Sequence, residues 1–516
     1  MNPLERNTMP ESARRADVLI VGSGIMGSVV AHLVRAASPA ARIVMVDGGS
    51  AIGSTPGLHL HDVAEPALWD EYNERVASGI QGFYSGAIPP ASTATDAATL
   101  EPGMHLLSSL GDDAAVMPMA AAAWNVGGMG AHWTAAVPWP AGAEVFDFGD
   151  PHGFARELAT AQRVLRSRTP SIGPTAVGER VLAELGRLYD GVGPADRKPQ
   201  PMPMAVFPDG SPMLRRVGPS VIFPPIGGAE DAAFTLLPGH LAVALEHDGR
   251  RVRGALVRRI ATGDLVGLEA AVTVVCADSF RTPQLLFASG IRPEALGRYL
   301  NEHAFVTGRA LLDLPRFGLG LADLPPNPEG EFSTDSLWVP QNGADQPFHG
   351  QVMDTTYVTD DGEPLAHSVG LSFYTPVESR PDNRIRFIDG ERDLTGMPRF
   401  EIEFAYSRAD RAMIERAESE IARVAERFGA FDPLTESALL PPGSSLHQTG
   451  TVRMGATDDG TSVCDTQTRV WGFENLFLAG NGVVPTPVVA NATLTGTVTA
   501  VRAARAVVRT LETVHA

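Results

Sequence analysis

The feature that most constrains the fold is a glycine-rich turn near the start of the chain. Gly22, Gly24 and Gly27 follow the apolar run at residues 18–21 with the spacing G-x-G-x-x-G. A helical pattern and a second apolar run come next, and Asp47 stands twenty residues after Gly27. Such glycines serve a tight turn, close approach of the backbone to a pyrophosphate and close helix packing, while the acid reaches a ribose. The spacing therefore predicts a βαβ unit that binds a dinucleotide.

The length and charge of the chain narrow its possible partners. Its 516 residues exceed what one core normally supports, so we expect two or three domains. Its net charge of −19 repels nucleic-acid phosphates and anionic lipid. The chain lacks a signal-peptide pattern and any run of about 18 apolar residues, and its cysteines and histidines lack disulfide-framework or metal-ligand spacing. We expect a cytoplasmic protein without nucleic-acid, membrane or metal partners, and the oligomeric state stays open.

A second cluster of small residues lies further along the chain. Small residues in such a run indicate backbone that is pressed against a flat ligand. The run ends in a histidine, a tryptophan and a threonine, which could face the same ligand. The residues in question are Gly127, Gly128, Gly130, Ala131, His132, Trp133 and Thr134.

The C-terminal part of the chain holds another strand, turn and helix pattern. Residues 471–478 predict a strand, Gly480 and Asn481 a turn, and residues 493–505 a helix. The N–H groups at a helix N-terminus favour a negatively charged ligand. We therefore expect both ends of the chain to contact one dinucleotide, which is common in flavin enzymes. A nicotinamide-dependent reductase would need the first turn alone, and it stays open as the less favoured alternative.

Taken together, these motifs resemble those of the glucose-methanol-choline (GMC) oxidoreductases. Besides the first glycine turn, the resemblance rests on residues 280–286, 300–303 and 447–505, and it covers nearly the whole chain. Residues 127–134 and 484–486 are most similar to those of pyranose oxidases and bacterial sugar and C-glycoside 3-oxidases. The resemblance implies a flavoprotein with bound FAD. It also implies oxidation of a secondary ring hydroxyl, at C2 or C3 of a pyranose sugar or glycoside, to a keto-sugar.

The same resemblance implies two catalytic residues near the C-terminus. His447 matches the family's catalytic histidine, and Asn491 matches its partner. A neutral imidazole can accept the hydroxyl proton as general base while the hydride passes to flavin N5. The amide of Asn491 can stabilise the developing alkoxide, although it could also cap a helix. His303 resembles a family position at the end of a helix, and we expect it to be structural.

Further resemblances concern the residues that hold the cofactor. Thr134 matches a threonine that faces the flavin, and His132 matches a histidine that is covalently linked to flavin in some pyranose oxidases. Gly130 and Ala131 replace the Ser-Thr pair of those enzymes, which favours FAD held without a covalent link. The complete set expected to bind the cofactor is Gly22, Gly24, Gly27, Asp47, Gly128, Ala131, His132, Trp133, Thr134, Gly480, Asn481 and Thr493.

The expected fold is α/β, with two domains. A Rossmann-like FAD-binding domain would be interleaved with a substrate-binding domain built on a mainly antiparallel sheet. Residues 365–406 alternate as in a sheet, and residues 153–189, 280–289 and 408–428 have helical spacing. Residues 247–249, between short alternating runs, indicate a hairpin. The expected boundaries are 13–150, 226–310 and 440–512 for the FAD-binding domain, 151–225 and 311–439 for the substrate-binding domain, and 1–12 for a disordered N-terminus.

The electron acceptor and the residues that grip the sugar stay open. Oxygen, giving hydrogen peroxide, and a quinone are both compatible with the motifs, so a GMC-family dehydrogenase that does not use oxygen is the main alternative. Residues 373–387, which include Arg380, Asn383 and Arg384, follow the family's sugar-domain pattern only loosely. We therefore assign no sugar-binding residue from them.

Overall fold

The computed structural model describes residues 14–63, 65, 67, 93–169, 175–208, 215–325 and 336–515. The disordered N-terminus expected at residues 1–12 lies outside them. Within the described part, none of the helices combines the length and the apolar character that crossing a lipid bilayer requires.

The predicted βαβ unit forms the centre of a seven-stranded sheet, here called the first sheet. Arg15–Val21 runs parallel to Ile43–Val46 on one side and to Leu265–Val275 on the other. Helix Ile25–Ala37 connects the first two strands. Residues 18–21 are buried, as expected for a strand covered on both faces. In spatial order the strands are His240–His247, Val252–Arg259, Leu265–Val275, Arg15–Val21, Ile43–Val46 and Phe234–Leu237, with Leu476–Leu478 also paired to Leu265–Val275.

The C-terminal strand is shorter than predicted. Only Leu476–Leu478 is a strand, and it runs parallel to the end of Leu265–Val275. The prediction of a strand over residues 471–478 is wrong in its first half because the chain turns there, with Gly472 at a φ of +81°. The predicted hairpin at residues 247–249 is confirmed, since it joins two antiparallel strands of the first sheet.

A six-stranded antiparallel sheet, here called the second sheet, confirms the second predicted layer. Helix Arg408–Ala425 packs on it through Ile414, Ile421 and Val424, while most of its charged residues other than Asp410 are exposed. Ser407 and Asp410 begin this helix with a capping box. In spatial order the strands are Ser437–Leu439, Ala304–Leu311, Pro364–Thr375, His349–Val358, Ser336–Val339 and Gln200–Pro201.

Further helices and strands complete the described fold. The remaining helices are Pro151–Val164, Ala176–Leu188, Pro219–Ile222, Asp278–Ala288, Pro433–Glu436 and Thr493–His515. The remaining strands are Gly103–Leu106, Ala121–Trp124, Ser167–Arg168, Met204–Phe207, Arg215–Arg216, Arg384–Arg392 and Pro398–Glu403.

Each sheet has its own apolar core, which supports the α/β fold with two domains. We propose interleaved domains close to the boundaries expected from the sequence, with two changes. Helix Pro151–Val164 packs against helix Thr493–His515 in the core of the first sheet, so this segment is better assigned to the FAD-binding domain than to the substrate-binding domain. Strand Ala304–Leu311 pairs within the second sheet, so the segment that ends the FAD-binding domain is better closed near residue 303 than at residue 310.

Candidate active site

A cavity runs from the first glycine turn to the C-terminal histidine and is lined by residues from both sheets. It brings together most of the residues singled out in the sequence. Gly27 and Ala131 do not line it: Gly27 packs against the preceding turn, and Ala131 is buried. The predicted residues that line the cavity are Gly22, Gly24, Asp47, Gly128, His132, Trp133, Thr134, His447, Gly480, Asn481, Asn491 and Thr493.

The three glycines of the first turn have different structural roles. Gly22 has a φ of +102°, and a Cβ there would lie 2.5 Å from the carbonyl oxygen of Cys276. A Cβ on Gly27 would lie 2.1 Å from the oxygen of Gly22. Beside Gly24, the nearest atom to a Cβ would be 3.7 Å away. The protein's own packing therefore requires Gly22 and Gly27, whereas the space at Gly24 is left for a group that approaches from the cavity, as a pyrophosphate would.

Asp47 lies at the carboxyl end of the second strand and is held by three hydrogen bonds. Its Oδ2 accepts from the backbone N of Ser23 at 3.1 Å and from the Oγ at 2.6 Å, and its Oδ1 accepts from Gly49 N at 3.0 Å. Burial raises the pKa of this carboxyl to about 6. Oδ1 keeps a lone pair that could accept from a ribose hydroxyl.

Ser23 connects the two glycine-rich turns, which the sequence did not indicate. Its Oγ donates to Asp47 and accepts from the backbone N of Gly127 at 2.9 Å. The second turn is a short 3-10 helix, Gly128–Ala131. The following His132 has its Nε2 2.8 Å from the Oδ1 of Asn125. These bonds hold two distant segments around one end of the cavity, with the geometry that a dinucleotide needs.

The other end of the cavity contains His447 and Asn491. The amide Nδ2 of Asn491 lies 3.3 Å from Nε2 of His447. His447 is partly buried in the wall of the cavity, and the loss of solvation together with the nearby His303 and His349 lowers its pKa well below the usual value. A neutral imidazole in this position beside an amide N–H can accept a proton and stabilise an oxyanion.

His303, which we expect from the sequence to be structural, contacts His447 directly. Its Nε2 lies 3.0 Å from Nδ1 of His447, and its own Nδ1 lies 3.2 Å from the carbonyl oxygen of Val488. Burial lowers the pKa of His303 to about 4. The signal that could have found it is the stretch at residues 300–303, which is part of the resemblance in sequence and directly precedes strand Ala304–Leu311.

His349 is a second histidine that the sequence did not assign to the site. It begins strand His349–Val358, and its Nδ1 accepts from Trp338 Nε1 at 2.9 Å. The ring of Tyr374 lies between the histidines, with its centroid 4.5 Å from that of His303 and 5.3 Å from that of His349. The second sheet thus supplies the surroundings of His447. Nothing in the spacing of these residues along the chain indicated that.

Two buried carboxylates hold the loops that carry His447 and Asn491. Glu302 accepts from Ser445 Oγ and Gln448 Nε2, each at 2.7 Å, and burial raises its pKa to about 7. Glu144 Oε1 accepts from the backbone N atoms of Val489 at 2.8 Å and Ala490 at 3.0 Å. Carboxylates that accept several N–H bonds make strong, directional anchors.

Of the stretch that loosely follows the sugar-domain pattern, Tyr374 lines the cavity, whereas Arg380, Asn383 and Arg384 do not. Arg384 forms an ion pair with Glu403 at 2.6 Å, and Asn383 Oδ1 accepts from Ala405 N at 3.1 Å. The guanidinium of Arg380 donates to the carbonyl oxygen of Ala405. Among the residues that the structure describes, no cluster of His, Cys, Asp and Glu is arranged to hold a metal ion.

A glycine turn at the parallel centre of a mixed sheet, sharing its cavity with a histidine and a buried amide, is typical of a dinucleotide-dependent oxidoreductase. A family model described as GMC oxidoreductase matches residues 379–500. A C-glycoside 3-oxidase of Microbacterium trichothecenolyticum is 35% identical over 510 residues, which cover 95% of this chain and 96% of that one. This chain belongs to the GMC oxidoreductases, and that membership implies FAD as the cofactor.

Two further comparisons agree with this family. A pyranose 2-oxidase of Emericella nidulans is 25% identical over 583 residues, which cover 99% of this chain and 94% of that one. The solved structure of a formate oxidase from Aspergillus oryzae has a TM-score of 0.62 at 13% identity, covering 97% of this chain and 98% of that chain. The likeness to the formate oxidase shows a shared fold.

Proposed function

We propose that this enzyme uses FAD to oxidise a secondary ring hydroxyl, at C2 or C3 of a pyranose sugar or glycoside, to the keto-sugar. The observation that carries this proposal is the pair of His447 and Asn491, which lines the same cavity as the first glycine turn. Relatives that match along almost the whole chain are named C-glycoside 3-oxidase and pyranose 2-oxidase, which supports a sugar as the substrate.

In this proposal His447 is the general base. As the substrate C–H bond breaks, the hydroxyl O–H bond breaks as well, and its proton goes to Nε2 of His447. The low pKa of His447 keeps this nitrogen unprotonated at neutral pH. Asn491 donates its amide N–H to the oxygen as negative charge develops, an interaction worth about 3 kcal/mol in other enzymes. Bound FAD would supply the hydride acceptor at N5.

The cofactor would be held chiefly by backbone groups of the two glycine turns and by Asp47. Gly480, Asn481 and Thr493 would contact it from the C-terminal side, where they line the same cavity. We propose that FAD is not covalently linked, because Nε2 of His132 is already engaged by Asn125. After acid precipitation the yellow colour should therefore leave with the supernatant. Colour retained by the pellet would contradict this part of the proposal.

The substrate is tested by incubating the holoenzyme with monosaccharides, O-glycosides and C-glycosides and assigning the products by NMR. A keto group at C2 or C3 is expected. Failure of every sugar to reduce the flavin would reject the proposed substrate class. Turnover with oxygen compared with turnover with benzoquinone decides between an oxidase and a dehydrogenase, since only oxygen use gives hydrogen peroxide.

The role of His447 is tested by the variant His447→Ala. It should retain FAD and lose most flavin reduction by substrate at neutral pH. His367 offers a matched control, because it is a buried histidine of the second sheet that bonds to Asp354 and Thr356 and does not line the cavity. His367→Ala should lower stability without slowing flavin reduction. Reduction of the His447→Ala flavin at the parent rate would remove His447 from its proposed role.

A further inference from the structure

The hydrogen bonds around His447 form a chain with a defined direction. The chain begins at the carbonyl oxygen of Val488, which can only accept a hydrogen bond. His303 Nδ1 must therefore donate to it, across 3.2 Å. Because His303 is buried and neutral, its other nitrogen, Nε2, carries no proton and can only accept. The neighbour of that Nε2, at 3.0 Å, is Nδ1 of His447.

These constraints leave one arrangement for the protons of His447. Its Nδ1 must donate to His303, so in the neutral imidazole the lone pair lies on Nε2. An independent contact at the other side of the ring agrees, because Nε2 faces the amide Nδ2 of Asn491, a donor, at 3.3 Å. Each hydrogen bond from Val488 to Asn491 thus joins one donor to one acceptor.

A second short chain supports the orientation of the Asn491 amide. Trp338 Nε1 can only donate, and it lies 2.9 Å from Nδ1 of His349. A neutral His349 therefore carries its proton on Nε2. Nε2 of His349 and Oδ1 of Asn491 are buried and form no hydrogen bond in the described structure. The Asn491 side chain nevertheless raises the pKa of His349, as an amide oxygen on the side of His349 and an amide nitrogen on the side of His447 would.

We propose that His303 is a positioning residue that fixes the tautomer of His447, so that Nε2, the nitrogen facing the cavity, is the atom that accepts the substrate proton. This inference rests on the proposed function, in which His447 is the base. His303 does not line the cavity, so it acts only through His447. The Val488 carbonyl and His303 hold His447 in one tautomer, as a carboxylate holds the histidine of a serine protease.

The Val488 carbonyl at the end of this chain limits where the proton taken from the substrate hydroxyl can go. When the substrate O–H bond breaks and the N–H bond forms at Nε2, His447 becomes an imidazolium whose Nδ1–H still bonds to His303. His303 cannot pass a proton onward, since its own Nδ1–H points at a carbonyl oxygen that does not accept one at neutral pH. The proton therefore stays on His447 and leaves by Nε2, through the cavity.

Two substitutions separate the hydrogen bond from the bulk of the side chain. His303→Leu keeps an apolar body but removes the acceptor for His447 Nδ1. His303→Gln can present an amide oxygen to His447 and an amide N–H to Val488. We expect flavin reduction by a saturating sugar to be slowed by about 100-fold or more in His303→Leu, since a wrong tautomer cost about 10⁴ in a protease triad. In His303→Gln the loss should be less than about tenfold, and KM should change little in either.

The tautomer itself is measured by nitrogen NMR of the unmodified holoenzyme with histidine labelled with ¹⁵N, with the His447 signals assigned from a His447→Gln sample. We expect a protonated Nδ1 and an unprotonated Nε2. This measurement does not depend on the folding of any His303 variant. His367→Leu is the matched control, since it also removes a buried histidine from the second sheet, and it should lower the melting temperature without slowing flavin reduction.

The possible results separate the two proposals. Undiminished flavin reduction in His447→Ala would reject the base itself and, with it, this inference. An inactive His447→Ala combined with a His303→Leu as fast as the parent would overturn only the role of His303. Equal losses in His303→Leu and His303→Gln, or a protonated Nε2 in the spectrum of the holoenzyme, would also overturn it. A slow His303→Leu, a partly restored His303→Gln and a protonated Nδ1 would together support it.

Discussion

The buried carboxylate of Glu144 offers the sharpest test of how this site is assembled. Its Oε1 accepts from the backbone N atoms of Val489 and Ala490, directly before Asn491 in the chain. The side chain is 1% exposed. Glu144 also lies near the buried Arg197, whose pKa its charge helps to keep up. The variant Glu144→Ala would remove the anchor of the Asn491 loop and leave a cation with less compensation.

The size of the effect follows from the groups left behind. The backbone N atoms of Ala141, Val489 and Ala490 and the amide Nε2 of Gln341 would lose their partner. Each such loss in a buried place costs about 1–3 kcal/mol. The loss of charge beside Arg197 adds to this, while water that enters the vacated space offsets part of it. We expect the free energy of unfolding to fall by about 3–4 kcal/mol. Asn491 should move relative to His447, and a shift of about 1 Å at a reacting centre can slow a reaction by about 100-fold.

The assay combines urea unfolding of the holoenzyme with stopped-flow measurement of flavin reduction. Glu157→Ala is the matched control, because Glu157 is also a buried glutamate and pairs with Arg502 at 2.5 Å and Arg505 at 2.6 Å. Breaking that ion pair should cost about 3–5 kcal/mol. We expect both variants to lose stability and only Glu144→Ala to reduce its flavin at least tenfold more slowly.

The reasoning about Glu144 would be refuted by a variant that loses stability yet reduces its flavin at the rate of Glu157→Ala. In that case the backbone from residue 489 to residue 491 would be held by its own packing, and the carboxylate would serve folding alone.

The remaining predictions concern the cofactor and pH. Gly24→Ala should fold but bind FAD at least tenfold more weakly. Gly27→Ala should yield little folded protein, because its Cβ would lie 2.1 Å from the backbone oxygen of Gly22, whereas a Cβ on Gly24 would meet no atom closer than 3.7 Å. Circular dichroism and FAD titration check both variants. Asp47→Ala should fold and retain FAD poorly on gel filtration. Because burial lowers the pKa of His447, Nε2 stays unprotonated below pH 6.5, so flavin reduction should hold as the pH falls from about 7 to 6 and decline only below that; a decline centred near 6.5 would contradict this.

The cofactor half of the protein could be predicted from the sequence because its determinants are local. The apolar run at residues 18–21, the three glycines and Asp47 lie within one βαβ unit. A tight turn and a close approach of the backbone depend on residue type and spacing alone. The same holds for the hairpin at residues 247–249 and for helix Asp278–Ala288, which the pattern placed within two residues of their observed bounds.

The surroundings of the base could not be predicted in this way. His303 and His447 are 144 residues apart in the chain, and Glu144 and Ala490 are 346 apart. Which side chain of a strand faces a cavity depends on the register of its neighbours, and the register of the second sheet is set by packing. The pattern at residues 471–478 likewise predicted too long a strand, because only three of these residues pair with strand Leu265–Val275.

The sequence was thus enough to predict the dinucleotide-binding turn and two kinds of sheet, and its resemblance to the GMC family indicated a catalytic pair of a histidine and an asparagine near the C-terminus. The folded structure was needed to show that His303 and His349 lie near that pair and that Glu144 holds the loop directly before Asn491. Spacing reports contacts within a helix or a turn, whereas a hydrogen-bond chain such as the one from Val488 to Asn491 exists only once two separately formed sheets pack around a common cavity and exclude water from it.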